Sequence, residues 1–210
     1  MGQWRMVIRR LVLASTSRYR RELLERLRLP FHVAAPSIDE AQLADEAPRD
    51  TARRLAMAKA EAIAALDPSA IVIGSDQVAD LDGAAIGKPG NHALATQQLR
   101  SMRGRTVVFH TAVAVVCVES GFRGAELASV SVRFRDLSDG EIDHYLHVEE
   151  PYDCAGSAKA ETLGIALLDS IESDDPTALI GLPLIRTCAL LRRAGRDPLA
   201  PHRSELSIGS

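Results

Sequence analysis

The chain has 210 residues and a formal net charge of -3. This weak negative charge argues against general nucleic-acid binding, because affinity for a polyanion comes mostly from lysine and arginine side chains along a surface. Hydrophobic residues make up 46% of the chain and aromatic residues only 4%, a profile that favours an α/β enzyme over a β-sandwich.

The first half of the chain alternates short apolar runs with longer amphipathic ones. Short runs predict buried strands, and runs with leucine or alanine on one face predict helices. The predicted strands are residues 7–14, 31–35 and 70–74, and the predicted helices begin at the Ser-Thr-Ser cluster of residues 15–17, at Pro48 and at Ala93. Residues 83–90 predict a turn region.

The second half begins with two β-branched runs around a polar segment that contains glycine, the pattern of an antiparallel hairpin. Ser138 and Glu141 then predict a capping box at the start of a helix. The predicted elements are strands at 106–118, 126–134 and 165–168 and helices from Ser138 to His147 and over 184–193. A hairpin among alternating helices and strands predicts a mixed sheet in one domain over residues 1–200, followed by a polar tail at 201–210.

Signals for export or membrane insertion are missing from the sequence. The apolar N-terminal stretch is broken by arginines, and no segment approaches the roughly 18 consecutive apolar residues that a membrane helix needs. Cys117, Cys154 and Cys188 are widely spaced in apolar surroundings, as expected for reduced core thiols. The sequence therefore predicts a soluble cytoplasmic protein with no membrane partner.

The first candidate site is the segment LASTSRYRRELL. A strand that enters a helix through small hydroxyl residues exposes N–H groups at the positive helix end, and Arg20 and Arg21 add charge beside Ser15 and Ser17. This combination predicts an anion site. An alternative is that the serines only cap the helix while the arginines form its solvated face.

The second candidate site is IVIGSDQVADL. An apolar strand that ends in Asp76 would place a carboxylate at the sheet edge, where it could activate water or hold a divalent ion. An alternative is that Asp76 caps a turn. Asp80 and Asp82 follow in turn-like sequence and are interpreted as surface residues.

The third candidate site is AIGKPG. Pro89 stands where a P-loop needs Ser or Thr, so a Walker-type NTPase is rejected, although Lys88 could reach a phosphate as a point charge. Lys59 lies on the border of the helix that begins at Pro48, where its ammonium could face a cleft or simply reach solvent. Glu40 follows a strand and is a plausible ligand for a hard cation, or only another loop acid.

Other catalytic patterns do not occur in the sequence. It contains no GxSxG elbow, no HExxH motif and no clustered histidines. The six histidines are interpreted as surface or packing residues: His32, His92, His110, His144, His147 and His202.

The motifs occur in an order that resembles the Maf-like nucleotide pyrophosphatase family. LASTSRYRRELL, PSIDE, LAMAKAEAI, IVIGSDQV, GKP, RFRDLSDGEIDHYL, CAGSAKAE and IGLPL carry this resemblance over roughly residues 9 to 200. It implies an α/β fold of the Maf/ITPase-like type, with an elongated mixed β-sheet flanked by helices and two lobes around a central cleft. It also implies a homodimer that hydrolyses nucleoside triphosphates to monophosphate and pyrophosphate with Mg²⁺ or Mn²⁺.

The resemblance assigns roles to particular residues. The SxSxxRR motif falls on Ser15, Ser17, Arg20 and Arg21, which would bind phosphate together with Lys59 and Lys88. The family acid corresponds to Asp76, which would activate water at the α-phosphorus directly or through a metal ion shared with Glu40.

The chain most closely resembles a subgroup that acts on 7-methyl-GTP, through Tyr19, Gln77 and Glu161. Methylated guanine is cationic, so an aromatic ring and a carboxylate suit it, and a buried Glu161 would repel thymine or uracil. Two departures are Tyr19, where relatives tend to carry Trp, and Val107, where many carry His. The alternatives are a preference for dTTP, UTP or other modified triphosphates, and a non-catalytic regulatory protein linked to cell division.

Overall fold

One open mixed sheet organises the computed structural model, which describes residues 9–200. Its strands follow the order β2-β1-β3-β5-β6-β7, and β4 pairs with β3 outside this path. The strands within the described residues are β1 (Leu11–Ala14), β2 (His32–Ala34), β3 (Ile71–Leu81), β4 (Ala84–Ile86), β5 (Thr106–Cys117), β6 (Phe122–Phe134) and β7 (Leu168–Glu172).

Helices cover the two faces of this sheet unequally. The described helices are α1 (Arg18–Glu25), α2 (Pro48–Ala64), α3 (His92–Met102), α4 (Asp139–Glu149) and α5 (Leu184–Arg193). Alternate residues of β3 and β5 point to opposite faces of the sheet. One face forms a core with α1 and α5, and the other face forms a core with α2. A third core, which includes residues of α3 and α4, continues from the α1 and α5 core along the sheet. Within residues 9–200, no helix combines the length and apolar character needed to cross a membrane.

Most predicted elements are confirmed. Strand β1 runs parallel to β2 and β3, whereas β3, β5, β6 and β7 pair in antiparallel fashion, so the sheet is mixed. The central hairpin is formed, although its second strand begins at Phe122 rather than at 126. Helix α5 occurs where the sequence predicts it, and the Ser138–Glu141 capping box is formed. Residues 7 and 8 of the first predicted strand and the predicted tail at 201–210 lie outside the described residues.

Two strand predictions are wrong. Strand β3 does not end at Asp76 but continues to Leu81, because β5 pairs with it as far as Asp80. The strand predicted over 165–168 is instead largely a 3₁₀ turn, Leu163–Leu167, and the strand follows as β7. Because β7 is a largely exposed edge strand, it lacks the apolar alternation by which strands are recognised.

The region after β3 is a hairpin rather than a plain turn. Asp82 and Gly83 both have positive φ, 52° and 87°, the geometry that matches a two-residue connection to twisted strands. This turn brings β4 back alongside β3. Asp80 therefore belongs to a strand, and its carboxylate contacts His110 of β5.

Strand β3 changes its neighbour on one side midway along its length. Residues 71–74 pair with β1, and residues 79–81 pair with β4. In the described sheet, residues 75–78 have no partner strand on that side, although β5 continues on the other. This interruption creates a polar opening in a sheet that is otherwise well paired.

Gly74 lies at the beginning of this opening and lets α2 approach β3 closely. A Cβ atom at this position would stand 2.2 Å from the carbonyl oxygen of Ala56 and 2.6 Å from the nitrogen of Ala60. Both contacts are with helix backbone, which cannot rotate out of the way. The close approach brings the side chains of α2 next to the residues that follow Gly74.

We expect Gly74→Ala to lower the free energy of unfolding by about 3 kcal/mol, the upper end of the usual cost of overpacking. Urea denaturation followed by circular dichroism measures this change. Gly140→Ala is the matched control, because a Cβ at Gly140 meets nothing within 4 Å and α4 favours alanine. Equal stability of the two variants would contradict the close contact between α2 and β3.

Candidate functional site

A cleft of about 820 Å³ opens where β3 changes its neighbour. Its walls come from the β1–α1 loop, residues 35–42, α2, β3, the segment after β4, residues 153–161 and residues 179–181. The predicted site residues that line it are Ser15, Ser17, Tyr19, Arg20, Glu40, Lys59, Asp76, Gln77, Lys88 and Glu161. Ten side chains from several separate segments of the sequence therefore line one cavity.

Lys59 and Asp76 form a buried ion pair at the centre of the cleft. The Lys59 Nζ donates to Asp76 Oδ1 at 2.7 Å and lies 3.0 Å from Glu40 Oε1. Lys59 is 5% exposed and Asp76 is 7% exposed, whereas Glu40 is exposed. The ammonium thus offsets the charge of the buried Asp76 carboxylate, which reduces the cost of holding that charge away from water.

The β1–α1 loop supplies both capping and exposed polar atoms. Ser17 caps α1 by accepting a hydrogen bond from the Arg20 backbone N–H, as the capping alternative predicts. Ser15 Oγ accepts hydrogen bonds from the Ser17 N–H and from the Arg20 guanidinium. Both serines also line the cleft, so capping and a role in anion binding are compatible.

Arg20 links the start of α1 to the opposite wall. Its Nε donates to the carbonyl oxygen of Gly181 at 2.9 Å. Burial lowers the pKa of Arg20, and the nearby carboxylates of Asp76 and Glu40 act in the opposite direction. A guanidinium held in place in this way presents a fixed positive charge to the cleft.

Arg21 is the one predicted phosphate contact that the structure places elsewhere. Its side chain is exposed on α1 and pairs with Glu25 one turn along the helix, at 3.0 Å. Adjacent residues of a helix point about 100° apart, so Arg20 and Arg21 cannot share one face. Arg21 therefore lies outside the cleft lining in this structure, and its role as a phosphate ligand stays a prediction.

The loop that carries Glu40 is anchored to α2 by hydrogen bonds between Glu46 and Arg54, here called the Glu46–Arg54 clamp. Glu46 accepts two hydrogen bonds of 2.7 Å from Arg54, and Arg54 also donates to the carbonyl oxygen of Ala41. Thr51 and the backbone of Leu43 donate to the same Glu46 carboxylate. These contacts lower the pKa of Glu46 to about 2, with the Arg54 hydrogen bonds as the largest cause. Sequence reasoning missed this clamp, because none of its residues belongs to a catalytic motif.

Residues 178–181 form one wall of the cleft, and three side chains donate hydrogen bonds to the backbone carbonyls of this wall. Ser75 Oγ donates to the Gly181 carbonyl, and Thr111 Oγ1 donates to the Ala178 carbonyl. The Gln77 amide nitrogen contacts Thr111 Oγ1 and the carbonyls of Ala178 and Leu179. The nitrogen of Gln77 is therefore engaged with protein atoms, which leaves its oxygen for a ligand.

Two of the predicted base-recognition residues, Tyr19 and Glu161, line the cleft at other positions. The Arg18 guanidinium lies 4.7 Å from the centroid of the Tyr19 ring and donates to its hydroxyl. Partial burial raises the pKa of Glu161, while Lys159 and Arg18 act to lower it. The Glu161 side chain is nevertheless exposed, so discrimination by a buried carboxylate does not hold for the structure as it stands.

A smaller cavity of about 260 Å³ adjoins this part of the wall. Glu161, Leu179 and Ile180 line both cavities. The other lining residues of the smaller cavity are mostly apolar: Val130, Ala160, Ile171, Ser173 and Pro176. The cleft therefore continues into a pocket with a carboxylate at its boundary.

The cysteine side chain that lines the cleft is not suited to nucleophilic catalysis. Cys117 is buried, as predicted, but Cys154 and Cys188 are only partly buried, and Cys154 lines the cleft. Burial and the neighbouring Asp153 raise the pKa of Cys154 to about 12. A thiol in this state is protonated near neutral pH and is a poor nucleophile.

The charged side chains that line the cleft have a formal net charge of zero. The cations are Arg18, Arg20, Lys59 and Lys88, and the anions are Glu40, Asp76, Asp153 and Glu161. A polyphosphate in this cleft would bring several negative charges with no net positive charge to meet them. The carboxylates of Glu40 and Asp76 provide the oxygen ligands that Mg²⁺ and Mn²⁺ prefer, so the donor set fits a divalent ion.

A family model and the curated relatives identify one family. A family model described as Maf-like protein matches residues 10–194. The 7-methyl-GTP pyrophosphatase of Albidiferax ferrireducens is 66% identical over 89% of this chain and 94% of its own length. The enzyme of the same name from Cupriavidus metallidurans is 61% identical over 88% of this chain and 93% of its own. Among solved structures, the Staphylococcus aureus Ham1 protein has a TM-score of 0.45 and 17% identity over 61% of this chain and 73% of that one.

We expect Glu46→Gln to destabilise the chain in a pH-dependent way. The folded-state pKa of about 2 lies below the ordinary value of 4.5. The contribution of Glu46 is therefore fully present above about pH 4.5 and is lost as the pH falls toward 2. Urea midpoints of the parent and the variant, measured from pH 7 to pH 2, should differ most above pH 4.5 and converge at low pH.

The matched control for this measurement is Glu25→Gln, which breaks the exposed pair with Arg21. Exposed ion pairs contribute little, so its urea midpoint should stay close to that of the parent at every pH. A Glu46→Gln difference that does not change with pH would contradict the ionised clamp.

Proposed function

Because the chain belongs to the Maf-like protein family, we propose that it is a nucleoside triphosphate pyrophosphatase that prefers 7-methyl-GTP. The reaction would cleave the bond between the α- and β-phosphates and release nucleoside monophosphate and pyrophosphate. The observation that carries this proposal is the convergence of Asp76, Lys59 and Glu40 in a cleft beside the start of α1.

The phosphate end of the substrate would lie against the β1–α1 loop. The first N–H groups of α1 and the hydroxyls of Ser15 and Ser17 offer hydrogen-bond donors at the positive end of the helix. Arg20 and the exposed Lys88 would hold the charge that develops on the departing pyrophosphate.

Asp76 would accept the proton of the water that attacks the α-phosphorus. Lys59 holds Oδ1, and in the described residues the hydrogen bonds to Asp76 engage only this oxygen, so Oδ2 can face water. The water forms the new P–O bond as the bond to pyrophosphate breaks, and no enzyme nucleophile is required. Lys59 keeps the buried carboxylate in a fixed orientation throughout.

Glu40 and Asp76 would hold a divalent cation, Mg²⁺ or Mn²⁺. Their oxygen donors and the formal neutrality of the cleft support this assignment. When bound, such an ion supplies positive charge to the phosphates and makes water more acidic. The carboxylate of Glu40 is exposed, so it is free to reorient toward a cation that arrives with the substrate.

The base end of the cleft suits a planar cation. The Tyr19 ring already carries the planar guanidinium of Arg18 against it, and 7-methylguanine is likewise flat and positively charged. Glu161 would pair with this charge and accept from the N–H edge of the base. The adjoining apolar pocket supports the placement of a base beside Glu161.

We further propose that the chain acts as a homodimer in the cytoplasm, as its resemblance to the family implies. Light scattering coupled to size-exclusion chromatography measures the assembly state. A mass near that of one chain, 22.7 kDa, would contradict the dimer.

We expect Asp76→Asn to lower kcat/KM for 7-methyl-GTP about 100- to 10,000-fold, the range for loss of a general base. Pyrophosphate release measures the activity. Chelation of divalent ions should abolish turnover in the parent protein, and Mg²⁺ or Mn²⁺ should restore it. Asp82→Asn is the control, because Asp82 pairs with Arg105 outside the cleft. Near-normal turnover by Asp76→Asn would refute the mechanism.

We expect Glu161→Gln to lower kcat/KM for 7-methyl-GTP roughly 10- to 100-fold, because a charged hydrogen-bond partner of the base is lost. The values for dTTP and UTP should stay level or rise. Glu150→Gln, at the exposed end of α4, serves as the control. If the parent protein turned over dTTP faster than 7-methyl-GTP, the proposed preference would be wrong even though the reaction type stood.

A further inference from the structure

Three side chains of types that can bind metal meet between α3 and α4, away from the residues that line the cleft. They are His92 at the first position of α3, and Asp143 and His147, which lie one turn apart on α4. One ligand atom from each lies within 4.8 Å of the other two. Sequence reasoning placed both histidines at the surface or in packing, because it could not foresee that α3 and α4 bring them together.

The hydrogen bonds around His92 determine which ring nitrogen is free. Tyr152 Oη donates to the carbonyl oxygen of Leu146, so it accepts from the Nδ1–H of His92 at 3.2 Å. Nε2 of His92 is then unprotonated, and it faces Asp143 Oδ1 at 3.3 Å. Two lone pairs at this distance repel each other unless a proton or a metal ion lies between them.

His147 is oriented in a similar way. Its Nδ1 lies 2.8 Å from the backbone carbonyl of Asp143 and 3.5 Å from Asp143 Oδ2. The carbonyl can only accept, so Nδ1 carries the proton and Nε2 has the free lone pair. The rings of His92 and His147 are 4.8 Å apart, and both side chains retain solvent access. A metal ion therefore has a route of entry, and the exposed His147 ring would rotate to bring a nitrogen lone pair to it.

The distances suit a transition metal. A tetrahedral ion bound at about 2.1 Å holds its ligand atoms roughly 3.4 Å apart, and the His92–Asp143 separation is 3.3 Å. Two imidazoles and one carboxylate favour zinc, nickel or cobalt over magnesium, which prefers oxygen ligands. The tyrosine behind His92 resembles the outer hydrogen-bond partners that orient histidine ligands in metal sites.

We propose that His92, Asp143 and His147 form a zinc-type metal site that joins α3 to α4. The site would stabilise the structure rather than take part in the reaction. Tyr152, which orients His92, also accepts a hydrogen bond from the Gly90 N–H through its carbonyl oxygen. Metal binding would therefore fix Tyr152 between Lys88 and Cys154, two residues that line the cleft from separate segments.

Zinc titration of the full chain, prepared without a histidine tag, tests this proposal. Glu40→Gln in the background weakens metal binding in the cleft, so the two sites are not confused. We expect one equivalent of Zn²⁺ to bind and to raise the melting temperature. His92→Ala and His147→Ala should each weaken zinc affinity at least about 10-fold and remove this rise.

His144→Ala is the matched control, because His144 is exposed on the same helix next to Asp143 and does not belong to the cluster. Its zinc affinity should stay within about two-fold of the parent. The proposal would be overturned if the Glu40→Gln chain bound no zinc, or if all three histidine variants bound it equally. Either result would mean that a proton, rather than a metal ion, separates His92 from Asp143.

Discussion

The ion pair between Lys59 and Asp76 is the constraint on which the site depends. An ammonium and a carboxylate held this far from water are stable only while each has the other, since an unpaired buried charge is costly. Gly74 and the small residues of α2 let the helix approach β3 closely enough for them to meet. The Glu46–Arg54 clamp then holds the loop that carries the second carboxylate, Glu40. The close packing of α2, the anchored loop and the charge balance therefore all support the contact between Lys59 and Asp76.

The sheet topology explains why this contact lies in a cavity rather than inside the core. Where β3 leaves β1 and has not yet met β4, Asp76 and Gln77 lack a strand on one side. Helix α1 starts beside this opening, so its N–H groups face the same space as the carboxylates. The positive end of α1 and the carboxylate in the interior of β3 therefore present opposite charges to one ligand.

Local patterns were enough to predict much of the fold, and long-range pairing explains the rest. The hairpin of β5 and β6, the capping box of α4 and the limits of α5 follow from neighbouring residues alone. The extension of β3 past Asp76 depends on pairing with β5, which lies later in the chain beyond α3, so the local sequence did not reveal it. In the site, side-chain types identified Asp76, Lys59 and Glu40, but the walls built from carbonyls at 178–181 have no such signature. The exposure of Glu161 is likewise set by tertiary packing.

The two edge strands of the sheet, β2 and β7, disfavour pairing with a strand of another molecule. Strand β2 has only three residues, and β7 carries Asp169 and Glu172 next to a β-bulge in its neighbour β6. Short, charged and irregular edges are poor templates for another strand. The long apolar strands β3 and β5 are shielded in the middle, so the segments most prone to fibril-like stacking are the ones least available to a second molecule.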